Sequence, residues 1–194
     1  MTISLNDIRT FLRDHVPVEA PGDTGLAKAA VLFLFFVRDG SLEILLTQRT
    51  DTVEHHKGQV SFPGGMTDDG DLHAEDTALR EAEEEIGLVR SAVEIVGRTD
   101  DFVTPTGFAI TPVIGILKED PPLRLNQDEV EAVFFTPLGL FLDPSAEEAF
   151  EREWEGQSQV VFSYQYGQFR IWGVTATIIR TFLRRVAGLE GGSP

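Results

Sequence analysis

Apolar stretches separated by short polar turns predict an alternation of strands and helices along most of the chain. Residues 29–37 are almost wholly apolar and predict a buried strand, and Asp39-Gly40 predicts a hairpin turn to a partner strand at residues 42–48. Apolar and β-branched residues also recur in later predicted strands, at residues 93–97, 108–117, 130–136, 159–166 and 168–171. Pro112, which has no N–H to donate, predicts a bulge or a sheet edge within its strand.

Helical periodicity appears near both ends of the chain. Residues 4–15 form an amphipathic pattern that Ser4 can cap, and residues 175–186 predict a closing helix. The buried side of this closing helix is expected to consist of four apolar residues: Ile178, Ile179, Phe182 and Leu183. Residues 137–142 predict a helical turn, 143–156 a loop or helix, and the tail from about residue 188 a disordered end. Without a long linker or a repeat, this order predicts one α/β domain over residues 1–194, with a mixed sheet covered by helices on both faces.

The stretch from residue 62 to residue 88 combines a Pro-Gly-Gly turn, an acidic loop and a helix rich in carboxylates. Asp71 is the predicted start of this helix, and Gly87 is its predicted end. At about 100° per residue, one edge of the helix is apolar, and the adjoining edge carries three carboxylates: Glu81, Glu84 and Glu85.

Clustered carboxylates near the negative end of a helix dipole repel one another and destabilise a bare helix. Most acidic runs are solvated helix faces, which is the simpler interpretation here. A bound Mg²⁺ would reverse the repulsion, because hard cations prefer oxygen ligands and share them with substrate phosphates. Two features favour this metal-site interpretation: the carboxylates border the apolar face, and the Gly64-Gly65 turn can bring backbone close to a ligand.

Composition narrows the classes of function. The formal net charge of −16 argues against a general nucleic-acid binder, which needs a basic face to displace counterions. With no cysteine, the chain has neither a disulfide framework nor thiol chemistry. The first residues do not resemble a signal peptide, and the longest apolar run is too short to span a membrane. We therefore expect a cytoplasmic protein without a membrane partner; its assembly state, a homodimer included, is left open.

Residues 80–88, REAEEEIGL, resemble the second half of the Nudix box, and Gly65 matches the glycine that opens that box. One departure is the spacing: Asp71 stands where the box has a glutamate, and eight residues rather than seven separate it from Arg80. The resemblance implies the α/β/α sandwich of Nudix proteins, in agreement with the pattern of elements.

Residues 45–65, LLTQRTDTVEHHKGQVSFPGG, resemble the signature of one Nudix branch, the coenzyme A diphosphatases. Two later stretches, residues 106–113 and 171–176, are also similar to this branch. Glu54 is the main departure, since the signature has an arginine there. The resemblance implies hydrolysis of the diphosphate of coenzyme A to phosphopantetheine and 3′,5′-ADP.

The same residues suggest roles in such chemistry. Mg²⁺ or Mn²⁺ would be held by the helix carboxylates and the turn, through Glu81, Glu85, Glu84 and the Gly64 carbonyl. Glu84 and Glu129 are alternative general bases, although Glu129 lies in an acidic stretch that is more often simply solvated. Arg80, counted among the catalytic groups, stands four residues before Glu84, which favours an ion pair that aims the carboxylate.

Arg49, His56 and Gly65 are the candidate substrate contacts. Alternative substrates are ADP-ribose, NADH or another nucleoside diphosphate derivative, which the Glu54 departure keeps open. A ligand-binding domain without turnover is a third hypothesis, but such a domain has no need of a self-repelling carboxylate cluster.

Overall fold

The computed structural model describes residues 2–22, 25–51, 58–154 and 156–189. Its helices, in chain order, are α1 (Leu5–Asp14), α2 (Ala74–Ile86), α3 (Gly139–Leu142) and α4 (Gly173–Val186). Its strands are β1 (Ala27–Arg38), β2 (Ser41–Arg49), β3 (Val60–Ser61), β4 (Gly64–Met66), β5 (Val93–Arg98), β6 (Phe102–Val103), β7 (Phe108–Leu117), β8 (Val130–Pro137), β9 (Glu148–Trp154), β10 (Gln157–Tyr166) and β11 (Phe169–Trp172).

The main sheet is mixed, as predicted. Its central path runs β3-β2-β1-β7-β5, with β4 paired to β1, β6 to β7 and β8 to β2. The pairing of β1 with β7 is parallel, and the other pairings are antiparallel. The predicted hairpin between β1 and β2 is confirmed: Asp39 and Gly40 both have positive φ, as a tight two-residue turn requires.

The β1 strand is buried on both faces, and its side chains point alternately into two separate layers of the core. Phe33 and Phe35 pack with the cluster that contains α1 and α4, while Leu32 and Leu34 pack with the cluster that contains α2. The four apolar residues predicted to form the inner side of α4 are all buried. Helices therefore cover both faces of a mixed sheet, which confirms the α/β/α sandwich. That residues 1–194 form one domain stays a prediction.

Pro112 was expected at a bulge or an edge, but β7 has neighbours on both sides. On one side it pairs with β1; on the other, β5 ends and β6 begins around the proline. The Pro112 carbonyl accepts from Thr99 N at 3.0 Å in this gap. The missing N–H is tolerated because the change of partner strand falls at the proline.

Residues 143–156 were expected to be loop or helix, which is correct for residues 143–147 and wrong for residues 148–154. They contain β9, which pairs antiparallel with β10 in a second sheet of order β11-β10-β9. The strands predicted at residues 159–166 and 168–171 are confirmed as β10 and β11, which form an antiparallel hairpin in the same sheet. Tyr164 fixes this sheet to α4: its buried hydroxyl donates to Glu147 Oε2 at 2.7 Å, and Arg180 Nε donates to the same oxygen at 2.9 Å.

The helix ends agree with the sequence in two cases and differ in a third. Ser4 caps α1 through a complete capping box, and Gly87 ends α2 in the left-handed conformation. Asp71, however, does not start α2, which begins at Ala74 after His73. Within the described residues, no helix has both the length and the apolar character needed to cross a membrane.

Candidate active site

The α2 helix presents its apolar edge to the sheet and its carboxylates to the rim of that contact. Ala78, Ala82 and Ile86 are fully buried in the cluster that includes Leu32 and Leu34 of β1. The face predicted from the sequence is therefore confirmed. Packing of this edge holds the backbone of α2 against the sheet and so determines where the neighbouring glutamates lie.

The turn after β3 faces α2 through Gly64. In the antiparallel β1–β4 ladder Gly64 lies opposite Val31, while the adjacent Leu32 N donates to Pro63 O at 2.8 Å. Hydrogen-bonded and non-hydrogen-bonded pairs alternate along such a ladder, so the N–H and C=O of Gly64 point away from β1. The N–H donates to Glu85 Oε2 at 3.3 Å. The carbonyl of Gly64 is thus directed to the side on which a ligand would lie.

Gly65 lets the turn approach the second carboxylate of the helix. A Cβ at this position would lie 2.5 Å from the carboxyl carbon of Glu81. The absence of a side chain therefore creates the space that the Glu81 carboxylate occupies. Gly64 and Gly65 each contact a different glutamate of α2.

Three carboxylates share this space and perturb one another. The Glu85 side chain is only 3% exposed, and burial raises its pKa to about 8 against the opposing effects of Arg49 and the Gly64 N–H. Burial also raises the pKa of Glu81, with Arg80 opposing the shift. The like charge of Glu129, a residue distant in sequence, also raises the pKa of both glutamates.

Arg80 connects the acidic loop with the helix. Its Nη2 donates to Asp71 Oδ2 and its Nη1 to Glu81 Oε1, both at 2.9 Å. Nη1 also donates to Glu84 Oε2 at 3.2 Å, and Nη2 donates to the Met66 carbonyl at 2.9 Å. The predicted ion pair between Arg80 and Glu84 is present. With its donors used in this way, Arg80 orients carboxylates.

Asp71 has a role that its spacing left undecided. Besides Arg80, it accepts from Asp68 N at 3.0 Å, and its hydrogen bonds with Arg80 hold its pKa well below the usual range. It therefore anchors the arginine as an ionised carboxylate and does not cap α2. The helix starts three positions after Asp71, so Asp71 reaches Arg80 from the acidic loop.

Glu129 is fixed in place by Asn126, a residue that the sequence did not single out. Asn126 N donates to the Glu85 carbonyl at 2.9 Å, and its Nδ2 donates to Glu129 Oε1 at 3.2 Å. Thr50 N donates to the Glu129 carbonyl at 2.9 Å, which ties the same segment to the end of β2. Two hydrogen bonds from Asn126 thus connect Glu129 to the end of α2. The bond to Glu129 spans three positions, whereas the bond to Glu85 joins residues distant in sequence and forms only on folding.

Arg49 ends β2 beside Glu85, with its Nη1 3.4 Å from Glu85 Oε1. Its side chain is 25% exposed, and its Nε is buried with no hydrogen-bond partner in the part of the chain that the structure describes. An arginine that borders both solvent and a carboxylate, with donor capacity to spare, is suited to contact an anionic ligand. His56 and Glu54 lie outside the described residues.

A divalent cation fits this set of donors. Within the described ranges, however, no three His, Cys, Asp or Glu side chains are already arranged at coordination distance from a common point. Glu84 is 57% exposed and held by Arg80, while Glu85 is held by Arg49 and the Gly64 N–H. The donors are all hard oxygens, and burial with mutual repulsion raises the pKa of both Glu81 and Glu85. A cation would relieve that repulsion, so these residues are suited to Mg²⁺ or Mn²⁺.

Comparisons with known proteins agree with this geometry. The Nudix domain model matches residues 27–168 of the chain. NudL, an uncharacterized Nudix hydrolase of Escherichia coli strain K12, is 42% identical over 153 residues, which are 79% of this chain and 80% of NudL. A MutT/nudix family protein from Enterococcus faecalis has a TM-score of 0.53 at 19% identity, covering 96% of this chain and 70% of that one. An Ap4A hydrolase from C. elegans, in a binary complex, has a TM-score of 0.50 at 19% identity, covering 57% of this chain and 80% of the hydrolase. At these identities, the two structures support the fold alone.

Proposed function

Because this chain belongs to the Nudix hydrolase family, we propose that it hydrolyses the diphosphate of coenzyme A or a derivative, giving phosphopantetheine and 3′,5′-ADP. Hydrolysis of nucleoside diphosphate derivatives is the activity that family membership supports. Coenzyme A is the proposed member of that class, on the resemblance of residues 45–65 to the coenzyme A diphosphatase signature.

The position of Arg49 carries this proposal. Arg49 belongs to the upstream signature and Glu85 to the helix, yet their side chains meet at 3.4 Å. The signature also includes Gly64, which donates to the same glutamate. The substrate signature and the carboxylate helix therefore contribute to one site, which is the arrangement that diphosphate hydrolysis needs.

Each residue has a proposed part in the reaction. Glu81 and Glu85, with Glu84 and the Gly64 carbonyl, would hold Mg²⁺ or Mn²⁺. A divalent cation in this place neutralises diphosphate oxygens, orients them and acidifies water. Arg49 would bind a diphosphate oxygen through its spare donors, and Gly65 would let the substrate approach the turn.

We assign proton acceptance from the attacking water to Glu129. Glu84, the other candidate, is mostly exposed and is already paired with Arg80. Asn126 holds one carboxylate oxygen of Glu129 and also binds the Glu85 carbonyl, which connects Glu129 to the end of α2. A base must be free to take up a proton and must be held in place, which favours Glu129 over Glu84 in this proposal.

Product analysis tests the substrate directly. The protein is incubated with coenzyme A, ADP-ribose and NADH in parallel, with and without Mg²⁺ or Mn²⁺. We expect metal-dependent release of 3′,5′-ADP from coenzyme A, faster than release of AMP from the other two. Turnover of ADP-ribose or NADH alone would refute coenzyme A as substrate and keep the hydrolase; no turnover of any of them would refute the whole proposal for these substrates.

Substitution of Asn126 tests the role of Glu129. Asn126→Ala removes the 3.2 Å hydrogen bond to Glu129 Oε1 and leaves the metal-binding glutamates unchanged. We expect kcat to fall about tenfold with little change in KM, because a misplaced base slows the chemical step more than binding. Gln127→Ala, at the exposed neighbouring position, is the matched control. An unchanged kcat in Asn126→Ala would show that Asn126 does not position the base.

A further inference from the structure

The second sheet carries two arginines whose guanidinium groups lie over aromatic rings. Arg152 on β9 and Arg170 on β11 make no ion pair within the described ranges, whereas most other arginines there contact a carboxylate. Instead, the Arg152 guanidinium lies 5.6 Å from the Trp172 ring centroid, and that of Arg170 lies 5.1 Å from the centroid of Phe150. In a chain with a net charge of −16, unpaired arginines are unexpected and call for an explanation.

The strand register places all four side chains on one face, which we call the arginine face. Phe150 lies opposite Val161, and Trp172 lies opposite Ser163. Arg152 lies opposite Gln159, two positions before Val161, and Arg170 lies opposite Gln165, two positions after Ser163. Cross-strand partners share a face, and so do residues two apart on one strand.

The two arginines reach toward each other along this face. The backbone of Arg152 lies opposite Gln159, and its guanidinium lies over the ring of Trp172. Trp172 itself lies opposite Ser163, four positions further along β10. The backbone of Arg170 lies opposite Gln165, on the other side of Ser163. Its guanidinium lies over the ring of Phe150, with Nη2 3.5 Å from Ser163 Oγ. Both guanidinium groups therefore converge on the middle of the face. Two converging cations repel each other, and an anion between them would remove that repulsion.

The acidic residues of β9 lie mostly elsewhere. Alternation puts Glu151 and Glu153 on the opposite face, where Glu151 accepts from Ser158 Oγ at 3.2 Å. Glu148 shares the arginine face, but its carboxylate is held 3.4 Å from the Ser163 hydroxyl. The face thus offers two guanidinium groups and a hydroxyl, which are groups that bind phosphate, with the Glu148 carboxylate at its edge.

The second sheet adjoins the strand that leads into the candidate active site. Thr175, three residues after Trp172, donates through Oγ1 to Val60 O at 3.1 Å. Val60 belongs to β3, and four residues of chain, about 14 Å at most when extended, separate it from Gly64. The edge of the second sheet that carries Trp172 therefore lies beside the strand that leads to Gly64.

We propose that the arginine face binds a phosphate monoester on the nucleotide part of the substrate, with Arg152 and Arg170 as its ligands. The inference rests on the proposed function, in which coenzyme A carries such a group as the 3′-phosphate of its ribose. The face would then distinguish substrates with this phosphate from those without it, such as 3′-dephospho-coenzyme A, ADP-ribose and NADH.

Kinetics with paired substrates test this assignment. The double variant Arg152→Gln/Arg170→Gln is compared with the unmodified protein on coenzyme A and on 3′-dephospho-coenzyme A. We expect kcat/KM for coenzyme A to fall about tenfold or more, mainly through KM, while the value for 3′-dephospho-coenzyme A is unchanged. Arg9→Gln, which removes an arginine paired with Glu94 elsewhere on the surface, is the matched control. Equal losses, or none, on both substrates would overturn the subsite and leave the proposed function intact.

A binding measurement separates failure of the subsite from failure of the proposed function. In thermal unfolding, 3′,5′-ADP should raise the melting temperature of the unmodified protein more than AMP or inorganic phosphate does. The double variant should lose this advantage, whether or not coenzyme A is turned over. If 3′,5′-ADP stabilises both proteins equally, or no more than phosphate stabilises the unmodified one, the subsite is refuted even for an active hydrolase.

Discussion

Replacing Glu85 by glutamine is expected to abolish most of the activity, by about a hundredfold or more, without weakening the metal-free fold. Glu85 is almost fully buried, and burial together with the like charges of Glu81 and Glu129 raises its pKa. The amide keeps the shape of the side chain and removes the repulsion, so the cost to stability is small. The lost negative charge, however, is one that a divalent cation needs.

The measurement combines product formation with thermal unfolding, each with and without Mn²⁺. The unmodified protein should melt at a higher temperature when Mn²⁺ is added, because a ligand that binds only the folded state stabilises it. Glu85→Gln should lose most of this rise while melting in metal-free buffer at the original temperature or above. Glu83→Gln is the matched control, since it removes a carboxylate from the exposed side of the same helix. Full activity in Glu85→Gln would eliminate the proposed metal site.

Alanine at the two glycines of the turn should separate stability from activity. Gly64→Ala puts a Cβ 2.4 Å from the Ala30 carbonyl oxygen and 2.7 Å from Val31 Cα, both of which belong to the backbone of β1. Gly64 also has a φ of 155°, which side chains rarely adopt. Because the sheet cannot yield at this point, we expect a loss of about 2 kcal/mol or more in the free energy of unfolding.

Gly65→Ala should have the opposite effect. Its Cβ would meet the carboxylate of Glu81, the mobile end of a side chain, so the fold is expected to lose no more than about 1 kcal/mol. Displacement of that carboxylate should reduce activity about a hundredfold, since misplaced groups at a reacting centre are costly.

Urea unfolding and initial rates measured on both variants give the comparison. Gly70→Ala is the control, because a Cβ there meets nothing within 4 Å. Similar stability losses at Gly64 and Gly65, or full activity in Gly65→Ala, would contradict the described approach of the turn to α2.

Elements whose signal is local could be predicted from the amino-acid pattern alone. The 3.6-residue period fixed which side of α2 and α4 is buried, and the apolar run of β1 indicated a strand covered on both faces. The spacing of Glu81, Glu84 and Glu85 placed three carboxylates on one edge of α2, because they lie within two turns of a single helix. These features need only nearest neighbours along the chain.

Which distant residues join that helix depends on how the folded chain packs. Glu129 and Asn126 follow α2 by about forty residues, and hydrogen bonds formed after folding relate them to its end. The pairing of Asp71 with Arg80 depends on the path of the acidic loop, which composition does not specify.

The same reason explains why β9 was not predicted. Its acidic sequence lacks the apolar alternation of a buried strand, and its partner β10 supplies the hydrogen bonds that make it one. The arginine face exists because β9, β10 and β11 lie in this register. The periodic pattern of a helix or strand depends on residues that are close in sequence, whereas contacts between distant side chains depend on how the whole chain packs.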